Sequence, residues 1–347
     1  MTFQPNFLTT LIGSFPHTDT VDICQRIADT IDIPTWPQMV HLSFHENMYT
    51  QYSAALPRTV LDEVNQKITF DTTGDFTPEL ETFYMKYLDE DFDAFGLTPK
   101  YAAGFFAMMD ILRATSSEWV KGQVTGPISF GLTVVDQDLR SVLYNELLAD
   151  VIVKNMALNA RWQIQQLRSV RPNIIMFVDE PYMASFGSAF ISLSCEQAIA
   201  MMDEVFEAIH AEDALAGVHC CANTDWSVLL ATQVDILNLD AYGYLDNLAL
   251  YPEELRKFID RGGIVAWGIV PNNEDIYSVN PQGLADQLHA GFALICDRAA
   301  ARDVIITPDE LAARSLITPA CGLGSTTAAI ADKVIDILAQ TGEVLRQ

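Results

Sequence analysis

What most constrains this chain is a rhythm. A short apolar run ends in polar or glycine-rich sequence, and a longer stretch at helical spacing follows. The runs are LTTLIGS (8–14), the weaker PTWPQM (34–39), WVKGQVTG (119–126), NIIMFVDEP (173–181), AGVHCC (216–221), VDILNLDAY (234–242), GGIVAWGIV (262–270) and SLITPACG (315–322). Apolar strands alternating with helices mean a parallel sheet. Eight such units predict an α/β fold, a closed (β/α)8 TIM barrel. Helical periodicity runs through 141–170, 194–212, 280–300 and 325–342. Ser194 is placed to cap the second of these, with Glu196 in its first turn, where the helix dipole favours an acid. Trp226 opens another helix, capped by Thr224 or Asp225. The rhythm breaks over 41–118, which reads as an insertion after the second strand with helices of its own and a hairpin around 67–76. No linker-like stretch divides the 347 residues, so 1–347 reads as one catalytic domain.

The formal charge is −26, from 46 acids against 20 bases. Such a field repels nucleic acid and anionic membrane surfaces. No run of apolar residues is long enough to cross a membrane. The start, MTFQPNFLTTLIGSFPHTD, lacks the basic and apolar regions of a signal peptide. Six scattered cysteines do not suggest a disulfide framework and point to a reducing cytoplasm.

His219 and Cys221 stand one residue apart in AGVHCCANTDW, and Cys321 follows about a hundred residues later in SLITPACGLG. On a strand, i and i+2 face the same side, so His219 and Cys221 face one way and Cys220 the other. One imidazole nitrogen and two thiolates form a zinc ligand set with a fourth position open. Spacing alone leaves ordinary buried cysteines as an equally good reading. Position favours the metal. Ser14, Gly126, Asp179, Glu180, His219, Cys221, Asp240 and Cys321 all fall at C-terminal strand ends, the active-site rim of a barrel. Asp179 and Glu180 there suit a substrate that carries an amine.

IGSFPHT (12–18), VTGPISF (124–130), VDEP (178–181), HCC (219–221) and PACGLG (319–324) occur in that order. In this the chain resembles the C-terminal catalytic barrel of cobalamin-independent methionine synthase, in a superfamily shared with uroporphyrinogen decarboxylase and corrinoid-linked methyltransferases. The resemblance spans nearly the whole chain and is similar in extent to the stand-alone core methionine synthases. It implies a zinc-dependent thiol methyltransferase making methionine from L-homocysteine. It also implies a methyl-corrinoid donor, either methylcobalamin or a corrinoid protein as partner. The resemblance makes His219, Cys221 and Cys321 zinc ligands. It sets Asp240 where the family has a ligating Glu, as a direct ligand or as an acid orienting His219. Asp179 would hold the homocysteine amine and Ser14 the carboxylate. A second amine-binding acid of the family has no clean match, and Glu46 stands nearest. His17 and the apolar residues Phe44, Met48, Tyr49 and Tyr52 are further candidates for the donor side, although a surface histidine and insertion core describe them as well.

Three rivals remain open on sequence. A methyltransferase for another thiol, such as coenzyme M, needs a cation for the sulfonate. A uroporphyrinogen-type decarboxylase needs basic residues near the start, and none precedes Arg26. A non-catalytic corrinoid or metal carrier would bind without turnover.

Overall fold

The structure, a computed structural model, describes residues 3–188 and 191–347. Seven parallel strands form its central sheet: β1 (Leu8–Thr9), β2 (Trp119–Thr125), β3 (Asn173–Asp179), β4 (Leu215–Cys220), β5 (Ile236–Leu239), β6 (Ile264–Val270) and β7 (Ser315–Pro319). Their order is β1-β7-β6-β5-β4-β3-β2, so β1 and β2 are the edges. The sheet curls, and the segment around PTWPQM bridges its two edges. Ile33 N–H donates to Thr9 O at 3.0 Å, Lys121 N–H donates to Pro34 O at 2.8 Å, and Gln38 N–H donates to Gly13 O at 2.8 Å. Only Gln38–Met39 forms a regular ladder, against Ser14–Phe15. Pro34 and Pro37 have no N–H to give, which is why this run pairs irregularly.

Alternation sorts the strand residues. Ile174, Met176, Val178, Val218 and Cys220 join the large core that lies under the helices. Ile12, Ile33, Ile175, Phe177, Ile236, Ile264, Ala266 and Leu316 form a separate cluster inside the curl. Above this apolar floor the inner residues of β2, β3, β4 and β5 turn polar. Register aligns Thr125, Asp179, His219, Asn238, Ala266 and Leu316 in one row across six neighbouring strands. That row places Asp179, His219 and Asn238 side by side.

The helices start where the caps allow. Cys195–His210 has the full capping box, Ser194 with Gln197. Pro281–Ala300 starts at Asn280 with Pro in its first turn. Ala328–Leu345 is capped by Thr327, and Trp226–Ala231 by Asp225. Glu146–Arg168 starts at Asn145. No helix among the described residues is long and apolar enough to cross a membrane.

Residues 41–118 hold helices Thr77–Leu88, Phe92–Phe95 and Ala103–Leu112. The hairpin there pairs Thr59–Asp62 with Lys67–Phe70. It lies earlier than the expected 67–76, because Asp62 accepts from the N–H groups of Val64 (3.1 Å) and Asn65 (3.0 Å) and so makes the turn. Residues 67–70 are its second arm, which also pairs with Val135–Asp136.

Gly217 allows a close inner contact on β4. A Cβ there would meet Phe177 Cδ1 at 2.2 Å, so the ring fills the space the glycine leaves. Gly217→Ala is expected to lower unfolding free energy by about 1–3 kcal/mol through overpacking. A urea midpoint equal to that of the unmutated chain would contradict this packing.

Candidate active site

The inner cavity opens at the C-terminal ends of the strands. Its volume is about 330 Å³, within the range of small-molecule sites. Ser14, Gln38, Met48, Asp179, His219, Cys221, Cys321 and Gly324 are among the residues that line it, and among the described residues no Arg or Lys does.

His219, Cys221 and Cys321 converge there, their ligand atoms all within 4.8 Å of one another. His219 Nε2 lies 2.9 Å from Cys221 Sγ and 3.5 Å from Cys321 Sγ, and the two sulfurs are 2.6 Å apart. Cys220 points the other way into the helix-covered core, as the alternation requires. Tetrahedral zinc, with N at about 2.0 Å and S at about 2.3 Å, spans donor separations of about 3.5–3.8 Å. The His219–Cys321 pair already fits that span. Cys221 would have to move outward by about 1 Å to fit a tetrahedral zinc.

The thiols are electrostatically unequal. The Cys221 thiol beside it, together with His219, pushes Cys321 well below the ordinary thiol value, although burial opposes this. The same contact and burial push Cys221 up. Burial opposes charging His219, yet Cys321 and Asp179 raise it overall.

Asp179 lies inside the curl, 6 % exposed, and its Oδ1 has no hydrogen-bond partner. Burial raises its pKa, while His219 and Lys121 pull it down. Lys121 is buried below, over the Phe177 ring at 4.6 Å. Burial lowers its pKa to about 8 against the pull of Asp179. Ser14 Oγ accepts from Gly324 N–H at 3.2 Å and faces the cavity.

Three further acids read from the sequence as site residues each bond to a helix start, and of these Asp240 also feels the charges of Cys321 and His219. Glu180 follows Asp179 by one position, so it faces away from the cavity. Its carboxylate accepts from Ile128 N–H (2.9 Å) and Ser129 N–H (2.7 Å) at the start of helix Pro127–Thr133. Gly126, the residue before that helix, leaves room for it: a Cβ there would lie 2.1 Å from Glu180 Cδ. Glu46 does the same for helix Ala103–Leu112, accepting from Ala103 N–H at 2.7 Å, and also takes Met39 N–H at 3.2 Å. Both helices lack a capping side chain of their own, and a carboxylate suits the unpaired N–H groups at a helix start. Asp240 caps helix Ala241–Leu248 through Gly243 N–H at 2.8 Å and is not part of the ligand cluster.

Of the donor-side candidates, Met48 lines the cavity and Phe44 lines a neighbouring one that shares Val40 and Asn47. Tyr52 is buried, its hydroxyl donating to Gln123 O at 2.8 Å. Tyr49 packs on Phe130, and His17 pairs with Asp332 at 3.3 Å. Asn238, which the sequence reading did not single out, is hydrogen-bonded to His219 Nδ1. Its signal was available: it lies two residues before Asp240, on the inward face of the same strand.

A curled parallel α/β sheet with a cavity at its C-terminal rim is the class these features define. No protein-family model matches the chain. No curated protein matches it either. Among solved structures it is similar to a B12-independent methionine synthase from Shewanella sp. W3-18-1 in complex with selenomethionine. That match has 15% identity and a TM-score of 0.55, and it covers 98% of each chain. It is also similar to a putative vitamin-B12 independent methionine synthase from Listeria monocytogenes, with 10% identity, a TM-score of 0.57 and 97% of each chain covered. At these identities the likeness establishes a shared fold.

Burial raises Glu180 from 4.5 to about 7, although the two N–H bonds hold it back. The folded protein therefore keeps a proton that the unfolded chain releases near pH 4.5. Stability contributed by this group is full below that pH and falls as pH rises towards 7, by about 1.4 kcal/mol per unit. Glu180→Gln removes this titration. Urea unfolding between about pH 5 and 7 should show a shallower pH slope for the variant. Equal slopes would show that Glu180 ionises freely in the fold.

Proposed function

We propose that this protein is a zinc-dependent methyltransferase that methylates the thiol of L-homocysteine to give methionine. One observation carries the reading: a His–Cys–Cys cluster and an unpartnered buried carboxylate share one small cavity. The motif order of the sequence and the likeness of its fold to two B12-independent methionine synthases, one of them putative, support it. The same reading takes 34–39 as the second of eight strands in a closed (β/α)8 barrel and 41–118 as an insertion after it. It also places the protein in the cytoplasm, where six free cysteines stay reduced.

His219, Cys221 and Cys321 would hold the zinc. When bound, zinc supplies deprotonation of a thiol that enters the open position. Asp179 Oδ1 takes the substrate's ammonium, and Ser14 faces its carboxylate. Met48, Ile12 and Val40 give the cavity apolar walls that limit water around the sulfur. The substrate sulfur attacks the methyl carbon in line. The S–C bond forms as the carbon–donor bond breaks, and the donor leaves with the electron pair. The lack of a cation in the cavity lining disfavours a sulfonate thiol or a polycarboxylate. Glu46, Glu180 and Asp240 serve the fold around the site rather than the substrate.

Sequence resemblance points to a methyl-corrinoid donor, whereas both similar structures are named as B12-independent enzymes, so the assay carries both donor types. Zinc-loaded protein is incubated anaerobically with L-homocysteine and methylcobalamin, a protein-bound methyl-corrinoid or a methylated folate. Methionine is expected with one of them, and Cys321→Ser is expected to abolish it. Asp179→Asn should raise KM for homocysteine about 10–100-fold, the worth of a charge-assisted hydrogen bond. It should leave a thiol without an amine unaffected. Zinc-loaded protein that methylates no thiol with any donor would overturn the proposal.

A further inference from the structure

We propose that Asn238 is a positioning residue for this site. Its side-chain carbonyl holds His219 with the ring proton on Nδ1, leaving the Nε2 lone pair turned to the two sulfurs. The inference rests on the reading of His219, Cys221 and Cys321 as metal ligands.

The argument is one of donors and acceptors. Asn238 in β5 pairs in register with His219 in β4, and it is fully buried. Its two amide N–H groups donate to Ala266 O and to Thr318 Oγ1, each at 2.8 Å. Ala266 O can only accept. The Thr318 hydroxyl proton goes to Pro319 O at 2.9 Å, which leaves Oγ1 as the acceptor. A flipped amide would set oxygen against oxygen at Ala266, so the orientation is fixed. Asn238 Oδ1 then faces His219 Nδ1, and a carbonyl oxygen only accepts. Nδ1 must therefore carry the proton. A neutral imidazole has one, so Nε2 carries the free lone pair and can only accept, and Nε2 is the atom beside Cys221 and Cys321.

Metal-bound histidines commonly give their other N–H to a carboxylate, a backbone carbonyl or water. Here a neutral amide does it. Two thiols and Asp179 already crowd the cavity with latent negative charge. The amide orients the ring without adding another. Through Ala266 and Thr318 it also ties β5 to β6 and to β7, the strand that leads to Cys321.

The first test uses the metal-free wild-type protein. Two-bond proton–nitrogen correlation on 15N-histidine protein, at a pH where the ring is neutral, reports the tautomer. The His219 signals are found by comparison with His219→Ala. The Nδ1–H form is expected, and the Nε2–H form would overturn the proposal. The second test is chelator competition for zinc, with the visible spectrum of the cobalt-loaded protein alongside. Asn238→Leu should bind zinc about 10–100-fold more weakly. Asn238→Asp, which keeps the acceptor, should stay within a few-fold. An Asn238→Leu protein that binds as tightly as wild type would overturn the proposal. If that variant does not fold, the wild-type tautomer decides. Wild-type protein that binds no zinc would sink the metal reading, and the tautomer would still test the role of Asn238.

Discussion

A strand shows alternate residues to opposite faces, and in a curled parallel sheet one face looks inward and the other lies under helices. Everything in this site follows from that period of two. On β3 it sends Asp179 inward and Glu180 outward, so two adjacent acids acquire unrelated tasks. On β4 it sends His219 and Cys221 to the cavity and Cys220 to the core. Parallel register then carries the inward set from strand to strand and sets Asp179, His219 and Asn238 side by side.

Burial sets the electrostatics of that row. A chain of net charge −26 keeps nearly all its acids in water, and the few it buries are held by specific partners. Glu46 and Glu180 are spent on helix starts, where backbone N–H groups satisfy them. Asp179 differs, for one of its oxygens meets nothing. A buried acceptor without a donor is costly, and a ligand that brings a donor relieves the cost. The cavity thus sets a carboxylate oxygen without a hydrogen-bond donor beside one nitrogen and two soft sulfurs.

The sequence made much of this legible. Seven of the eight apolar runs contain a strand of the central sheet, 34–39 supplies only a separate two-residue ladder, and the Ser194 and Asp225 caps stand where the residue types put them. The His219–Cys221–Cys321 cluster was readable because alternation fixes two members and the strand-end position fixes the third. Alternation, applied to the DE of VDEP as it was to HCC, turns Glu180 away from the cavity and towards the start of helix Pro127–Thr133. The helix-start contacts of Glu46 and Asp240 were not legible for another reason. A carboxylate that caps a helix start resembles a rim acid in one dimension, and only tertiary contact reveals which N–H groups it meets. Asn238 was passed over because a buried amide has no chemistry of its own until its neighbours fix which way it points.

The central claim is that His219, Cys221 and Cys321 hold one zinc ion and leave a position for a substrate thiol. Zinc X-ray absorption on the loaded protein, with and without L-homocysteine, tests it most directly. The account predicts two sulfur ligands and a histidine nitrogen in the free protein, and a third sulfur when the thiol is added. Failure to retain zinc, or a sulfur count that homocysteine does not change, would contradict it.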